Sequence, residues 1–235
     1  PIDLHLSSLR LMGAQIETEG GVLSCRCPDG LHGEKITLSF PSVGATENIL
    51  IAAASADGET VILNAAREPE IADLADFLCS CGAHISGAGS GEITVCGMKK
   101  LHSAEHTVIP DRIIASTYMA AAAVTGGDVH ILDTRAEHIT PVIPVFEQAG
   151  CKVDCGENSV HISAPVRLRS VQTVRTMPYP GFPTDSQAAV MAMLSVAHGT
   201  SVMIENIFEN RYRHVRELCR LGADIMTEGK VAVIK

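Results

Sequence analysis

Two segments place small polar residues where a buried helix is expected to begin. Free backbone N–H groups at a helix start bind anions, so Ser42 and Gly44, within residues 41–46, offer donors to a phosphate. The same residues fit an ordinary helix cap, which is the simpler interpretation of this feature alone. Asp111 and Arg112 open the second segment, where a cap with a salt bridge accounts for both residues.

A third helix start, within residues 182–187, carries a carboxylate. Thr184 and Gln187 fit the Thr-x-x-Gln capping box, in which the two side chains bond each other's backbone N–H groups. Asp185 then lies in the first turn, where the helix dipole favours a negative charge. This carboxylate is therefore either part of the helix start or a fixed general base.

A polar segment, residues 205–214, follows an apolar strand, and its Arg211 and Arg213 offer positive charge to an anion. Composition alone leaves the role of this segment open. The ten histidines include no HExxH pattern, and the eight cysteines lack the C-x2-C spacing of structural zinc sites. We therefore predict no metal site and no cofactor, and we expect reduced, mostly buried thiols.

The chain repeats one unit of about 70 residues. One phrase of the unit reads as an apolar helix, a glycine stop, a strand, a turn and a second strand. Its stop glycines are Gly13, Gly82, Gly150 and Gly222. A second phrase, with the same period, is a helix closed by glycine and followed by a strand. Its glycines are Gly58, Gly127 and Gly199. Such a period predicts a duplicated β-α-β-α-β-β unit.

The two kinds of helix differ in their polarity. Helices of the second phrase are apolar nearly all round, so we expect them to be buried on all sides. Helices of the first phrase are amphipathic, with one stripe formed by Ile71, Leu74, Ala75 and Leu78. The pattern predicts an α/β repeat fold with helices inside and sheets covering them. A polar stretch, residues 99–106, is a candidate crossing between two domains.

Charge and hydropathy exclude several classes of partner. The 235 residues carry a net charge of −9, which argues against nucleic acid or acidic lipid as a partner. The longest run of small apolar residues, 119–124, is far shorter than the roughly 20 residues of a membrane span, so we predict no membrane insertion. No signal peptide is recognisable, and the absence of an initiator Met suggests a fragment of a longer chain.

Several strings in the sequence resemble those of the UDP-N-acetylglucosamine 1-carboxyvinyltransferases. The resemblance covers the whole chain in order, and the AAREPEI, FPTD and FENR strings are specific in combination. The strings are DLH at 3–5, SVGAT at 42–46, NAAREPEI at 64–71, PDR at 110–112, FPTDxQA at 182–188 and FENR at 208–211.

This resemblance implies an inside-out α/β barrel, with two similar domains of three repeats each and the active site in the cleft between them. Residues 1–109 would be the latter part of the first domain, and residues 110–235 the first part of the second. The junction would lie within residues 106–110.

The activity that the resemblance implies is transfer of the enolpyruvyl group from phosphoenolpyruvate to the 3-hydroxyl of UDP-N-acetylglucosamine, with release of phosphate. The route would be addition followed by elimination through a tetrahedral intermediate. This step opens peptidoglycan synthesis in the cytoplasm and serves cell-wall biogenesis, cell shape and cell division. No cofactor is implied, and the protein partners are unknown.

The resemblance also assigns roles to individual residues. Asp185 would contact the sugar 3-hydroxyl as general base, Arg211 would order the cleft, and Ile207 would touch the sugar region through its backbone. The uridine pocket would be lined by Pro1, Ile2, Asp3 and Leu4. The diphosphate would be cradled by Ser42, Val43 and Gly44.

Two departures from the family pattern shape the expectations. The family's catalytic cysteine and a phosphate-binding arginine lie on a loop that precedes Pro1, so we nominate none of the eight cysteines as catalyst and expect the 235-residue chain alone to be inactive. Phe40 stands where the family commonly has Lys. The alternatives are a truncated paralogue that binds a UDP-sugar or has a regulatory role without catalysis, and an enolpyruvyl transferase with another acceptor.

Overall fold

The computed structural model describes residues 2–98 and 100–235 and forms two compact units, Pro1–Ile109 and Pro110–Lys235. This boundary falls within the predicted junction, residues 106–110, while the assignment of each unit to part of a domain stays a prediction. Pro1, predicted to line a uridine pocket, and Lys99, at the start of the predicted crossing, lie outside the described residues.

The first unit contains three helices and six strands among its described residues. The helices are α1 (Asp3–Leu11), α2 (Val43–Ala53) and α3 (Pro69–Ser80). The strands are β1 (Gln15–Glu19), β2 (Val22–Arg26), β3 (Lys35–Thr37), β4 (Glu59–Leu63), β5 (His84–Ser86) and β6 (Glu92–Cys96).

The second unit contains five α-helices, one 3-10 turn and seven strands in the part of the chain that the structure describes. The helices are α4 (Arg112–Thr125), α5 (Ala136–Ile139), α6 (Ile143–Gln148), α7 (Gln187–Leu194) and α8 (Val215–Arg220), and the 3-10 turn is Thr184–Ser186. The strands are β7 (Asp128–Leu132), β8 (Lys152–Cys155), β9 (Ser159–Ser163), β10 (Thr173–Arg175), β11 (Ser201–Ile204), β12 (Ile225–Glu228) and β13 (Val231–Ile234).

Sheet topology confirms the repeated β-α-β-α-β-β unit. One sheet has the order β3-β4-β6-β5 and another has the order β10-β11-β13-β12. In each, the first two strands are parallel and the remaining pairs are antiparallel, so both are mixed sheets. A third copy keeps only the antiparallel strands, in the order β7-β9-β8, and a fourth keeps the β1-β2 hairpin. The α/β fold predicted from the repeat is confirmed.

Glycines end the first-phrase helices as predicted. The positions Gly13, Gly82, Gly150 and Gly222 have φ angles of +100°, +102°, +101° and +105°. Because only glycine adopts such angles without strain, each copy of the unit turns from helix to strand at the same point. In the second phrase, the predicted glycines do not cap the helices. Gly126, with φ +65°, caps α4 and Gly127 follows it, while α2 and α7 are capped by Ala54 and Ser195, four residues before Gly58 and Gly199.

Second-phrase helices are buried on one side only, which corrects the prediction of burial all round. α2 buries Ile49 and Leu50 completely, yet Ile51 is 53% exposed. α4 buries Met119, yet Tyr118 is 62% exposed. The difference arises because each helix packs on its own sheet and on one or two neighbouring helices, which leaves the opposite face of the helix uncovered among the described residues.

The cysteines also differ from the prediction. All eight are free thiols, but only Cys81 and Cys151 are buried and Cys27 is half-buried, so the expectation of mostly buried thiols was wrong. The other five lie on strands and helix faces that point to solvent: Cys25, Cys79, Cys96, Cys155 and Cys219. Sequence patterns place a cysteine on an element but do not reveal which of its faces a neighbouring repeat covers.

We predict that Gly82→Ala destabilises the protein more than Gly222→Ala does. Both changes force a side chain to positive φ, which costs about 1–2 kcal/mol. At Gly82 the new Cβ would also lie 3.0 Å from Nε2 of His102, whereas nothing lies within 4 Å at Gly222. The free energy of unfolding of the intact protein and both variants checks this. Equal losses would contradict the His102 contact, and no loss would contradict the strain.

Candidate active site

Candidate site residues lie at the carboxyl ends of the parallel strand pair in each unit. Ser42 follows β3 in the first unit, and Asp185 follows β10 in the second. Ile207 follows β11, the parallel partner of β10. Ligands of open α/β sheets bind at this edge, because the loops that follow the parallel strands converge there. The repeat thus brings the predicted residues to equivalent places.

In the first unit, Ser42 is the N-cap of α2. Its Oγ accepts from the backbone N–H of Ala45 at 3.4 Å, which confirms the cap interpretation. The hydroxyl of Thr46, one turn further on, donates to the carbonyl of Ser42 and accepts from the N–H of Ala66 at 3.1 Å. This bond ties the helix start to the loop after β4. The remaining N–H groups of the first turn, including that of Gly44, belong to a firmly positioned helix end.

The start of α1 lies beside the start of α2. Nδ2 of Asn48 and Nδ1 of His5 are 2.6 Å apart. A Cβ added at Gly44 would lie 3.2 Å from Cε1 of His5, so only glycine fits here without displacing the ring. Ile2, which is half exposed, and Asp3 precede His5 at the N-terminus of α1. The structure therefore brings together the described residues of the predicted uridine and diphosphate sets.

Three carboxylates, those of Glu47, Glu68 and Glu70, lie near one another close to the start of α2. Burial, and then the nearby carboxylates of Glu70 and Glu68, raise the pKa of Glu47, while His5 lowers it. Phe40, where the family commonly has Lys, is 39% exposed. Positive potential for an anion in this unit therefore comes from the backbone N–H groups of α2 rather than from these side chains.

In the second unit, Asp185 and Arg211 form an ion pair. Nη2 of Arg211 donates to Oδ1 of Asp185 at 2.5 Å. The guanidinium carbon also lies 5.0 Å from the ring centroid of Phe208, a cation–π arrangement that helps to hold the arginine. Asp185 remains 54% exposed and Arg211 38% exposed, so both can reach a ligand from solvent. The two residues predicted to be catalytic are therefore in direct contact.

The predicted capping box at residues 184–187 was wrong. The chain enters α7 through the 3-10 turn Thr184–Ser186, and neither Thr184 nor Gln187 makes a side-chain cap bond. Instead, Oγ1 of Thr184 donates to Oε2 of Glu205 at 2.9 Å, and Gln187 is fully buried. The sequence box failed because a buried acceptor, which directly follows β11, competes for the threonine hydroxyl.

Glu205 is the residue that sequence reasoning missed. Its side chain is 1% exposed, and it accepts from the hydroxyls of Thr176 and Thr184, both at 2.9 Å. It also accepts from the backbone N–H groups of Ile207 at 2.8 Å and Phe208 at 3.1 Å. A buried carboxylate requires such a set of donors. The signal was a glutamate placed directly after a buried apolar strand.

Ile207 is held by this network. Its backbone N–H is already donated to Glu205, so the predicted backbone contact with a sugar would use its carbonyl group. Oη of Tyr212 lies 3.0 Å from the carbonyl oxygens of both Met203 and Lys230, which share its one hydroxyl proton. Burial, and then the Glu205 carboxylate, raise the pKa of Tyr212 to about 12. The phenol therefore stays protonated and remains a donor at neutral pH.

Family comparison identifies the protein class to which this geometry belongs. The model of the EPSP synthase (3-phosphoshikimate 1-carboxyvinyltransferase) family matches residues 1–235. The chain belongs to the EPSP synthase family. Among curated relatives, the chain is 49% identical over 235 residues to UDP-N-acetylglucosamine 1-carboxyvinyltransferase 2 of Caldanaerobacter subterraneus subsp. tengcongensis. It is 50% identical over 236 residues to the UDP-N-acetylglucosamine 1-carboxyvinyltransferase of Zymomonas mobilis. The resemblance predicted from the sequence strings is confirmed.

Solved structures support the same fold. The enolpyruvyl transferase NikO from Streptomyces tendae matches the whole chain with a TM-score of 0.89 at 22% identity, and the chain covers 58% of it. EPSP synthase from Acinetobacter baumannii matches with a TM-score of 0.68 at 25% identity, and the chain covers 56% of it.

The extent of these matches matters for the function. Every residue of this chain is matched, but it covers only 56% and 55% of the two curated relatives named above, so it spans about half their length. None of the helices in the described part of the chain is long and apolar enough to cross a membrane.

We predict that Glu205→Ala lowers the free energy of unfolding by about 3–5 kcal/mol, because two hydroxyls and two backbone N–H groups lose a buried charged acceptor. Glu205→Gln keeps one oxygen for Thr176, Ile207 and Phe208, and its amide can donate to Thr184. It should therefore cost less than half as much. Denaturant unfolding of the intact protein measures both. A Gln variant as unstable as the Ala variant would contradict this assignment of hydrogen bonds to the oxygen and the amide of the glutamine.

Proposed function

We propose that the protein transfers the enolpyruvyl group of phosphoenolpyruvate to the 3-hydroxyl of UDP-N-acetylglucosamine and releases phosphate. The observation that carries this proposal is the match of the entire chain, at about half identity, to relatives named as UDP-N-acetylglucosamine 1-carboxyvinyltransferases. We place this reaction in cytoplasmic peptidoglycan synthesis, and through it in cell-wall biogenesis, cell shape and cell division.

The architecture belongs to the same proposal. We infer an inside-out α/β barrel for each domain, with residues 1–109 as the latter part of the first domain and residues 110–235 as the first part of the second. The repeated mixed sheets and the uncovered faces of α2 and α4 support this inference, because a helix of that kind needs further elements to bury its apolar surface.

In the first unit, we assign substrate binding to the adjacent starts of α1 and α2. Ser42, Val43 and Gly44 bind the diphosphate through the N–H groups of Val43 and Gly44 and the hydroxyl of Ser42, whose own N–H is donated to the carbonyl of Phe40. Ile2, Asp3 and Leu4 line the uridine pocket together with Pro1. The contact between His5 and Gly44 supports this pairing, because it sets the distance between the two helix starts.

In the second unit, Asp185 is the general base. Its carboxylate accepts the proton of the sugar 3-hydroxyl while the hydroxyl oxygen bonds to C2 of phosphoenolpyruvate and C3 gains a proton from solvent. Elimination then returns a proton from C3 to solvent and restores the C2–C3 double bond. The C–O bond to phosphate breaks in the same step, its electron pair leaves with the phosphate oxygen, and phosphate is released. Arg211 holds the carboxylate in position, and Ile207 contacts the sugar through its backbone carbonyl. Both assignments rest on the ion pair and on the Glu205 network.

A second candidate function has shikimate 3-phosphate as the acceptor of the enolpyruvyl group. One observation favours it: the matching family model is described as 3-phosphoshikimate 1-carboxyvinyltransferase. Steady-state assays of phosphate release with UDP-N-acetylglucosamine and with shikimate 3-phosphate separate the two acceptors. A non-catalytic, UDP-sugar-binding or regulatory paralogue is not favoured, because such a protein requires neither Asp185 nor its guanidinium partner.

We predict that Asp185→Asn in the intact protein lowers kcat by about 10²–10⁴-fold, because the amide cannot accept the hydroxyl proton. Binding of UDP-N-acetylglucosamine, measured by calorimetry, should change only a few-fold. Glu209→Gln is the matched control, since Glu209 is an exposed carboxylate of the same polar segment, and it should leave kcat unchanged. An Asn variant with the parent kcat would exclude Asp185 as the base.

We also predict that Phe40→Lys lowers the KM for UDP-N-acetylglucosamine about two- to fivefold, because an exposed cation near the start of α2 gains a weak ion pair with the diphosphate. Phe40→Leu controls for the loss of the ring and should not lower KM. The gain of the Lys variant should shrink at high salt. A salt-independent KM in the Lys variant would count against diphosphate binding at this helix start.

A further inference from the structure

The outward face of the β7-β9-β8 sheet groups two histidines and two carboxylates that the proposed reaction does not use. His130 on β7, His161 on β9 and Asp154 on β8 are directly opposite one another in a single row across the three strands. Asp128 lies two residues before His130 and therefore on the same face. The side chains of neighbouring positions point to the opposite face, where Ile162 is fully buried.

Distances within this group suit metal ligation. The imidazole rings of His130 and His161 are stacked, with centroids 3.9 Å apart and an interplanar angle of 5°. Nε2 of His161 lies 2.8 Å from Oδ1 of Asp128, and its Nδ1 lies 3.7 Å from Oδ2 of Asp154. One ligand atom each from Asp128, His130 and His161 falls within 4.8 Å of the other two.

Small side-chain movements complete the coordination geometry. Zinc–nitrogen bonds of about 2.0–2.1 Å in a tetrahedral site place neighbouring donor atoms roughly 3.3 Å apart. The donor atoms must therefore approach by no more than about 1.5 Å, which exposed side chains on a fixed strand framework achieve by rotation. Imidazole nitrogen with carboxylate oxygen is a donor set that suits zinc, copper and nickel.

We propose that Asp128, His130 and His161 bind one divalent transition-metal ion on the outer face of this sheet. The ion lies between Nε2 of His161 and Oδ1 of Asp128 and replaces the proton of their hydrogen bond. The displaced proton goes to solvent if Nδ1 already carries a proton, and to Nδ1 if it does not. The Nδ1–H group then donates to Asp154, the arrangement in which a carboxylate orients a metal-binding histidine. Water completes the coordination.

Charge supports this assignment. Asp128 and Asp154 place two carboxylates beside the imidazole rings, with oxygens 2.8 Å and 3.7 Å from the two nitrogens of His161. A divalent cation matches the formal charge of two carboxylates.

The two histidines are not a by-product of the repeat. In the preceding copy of the unit, the equivalent row across β4, β6 and β5 consists of Val61, Thr94 and Ser86, which offer no imidazole or carboxylate, whereas Glu59 stands at the place of Asp128. The carboxylate therefore recurs at its position in that copy, and the two imidazoles do not.

Titration of the chelator-treated intact protein with Zn²⁺ and with Co²⁺ tests the proposal. Calorimetry should show one equivalent of Zn²⁺ bound, and the Co²⁺ complex should show weak d–d bands of nitrogen and oxygen ligands. His130→Ala and His161→Ala should each weaken the affinity at least about tenfold. Asp128→Asn, which preserves shape, should also weaken it. His198→Ala, which removes an exposed histidine of the same unit outside the group, should not.

Three results would overturn the proposal. One is the absence of a stoichiometric site in the parent protein. Another is an affinity that is unchanged in both histidine variants, with circular dichroism showing that they are folded. The third is a strong thiolate-to-cobalt charge-transfer band, because it would assign binding to exposed thiols such as Cys155 and Cys219 instead.

Discussion

A buried carboxylate fixes the surface on which the proposed chemistry depends. Glu205 accepts hydroxyl protons from Thr176 and Thr184 and backbone protons from Ile207 and Phe208. Three separate stretches of chain, the end of β10, the turn before α7 and the loop after β11, are thereby joined through one side chain. Since Asp185 directly follows Thr184, its place is set by a residue that itself has no access to a ligand.

The same position of the repeat is used differently in each copy. Asn64 and Asp133, at positive φ, and Glu205 follow the equivalent strands β4, β7 and β11 of three successive copies and are spaced 69 and 72 residues apart. Asn64 donates to the carbonyl of Leu38 at 2.8 Å and so ties the loop after β4 to the end of β3. Glu205 joins equivalent loops in the second unit. The duplicated fold puts a residue at this position in each copy. The type of its side chain determines which hydrogen bonds hold the neighbouring helix start.

Sequence patterns predicted what depends on local chemistry. The first-phrase stop glycines, the order of elements and the Ser42 cap follow from periodicity and from backbone requirements that each residue meets alone. The capping box at Thr184 could not be predicted correctly, because its hydroxyl is claimed by Glu205, a residue 21 positions away in the chain. The burial of thiols and helix faces failed for a related reason, since it depends on which elements pack against them.

The two units thus offer complementary chemistry from equivalent positions. At the start of α2 the available charge is the partial positive charge of N–H groups, next to the His5 ring and to carboxylates of which Glu47 has a raised pKa. At the start of α7 the available charge is a full carboxylate, Asp185, held by Arg211. N–H groups at a helix start bind phosphates without exchanging protons, whereas a paired, half-exposed carboxylate is a proton acceptor. This difference is the physical reason for assigning binding to the first unit and proton transfer to the second.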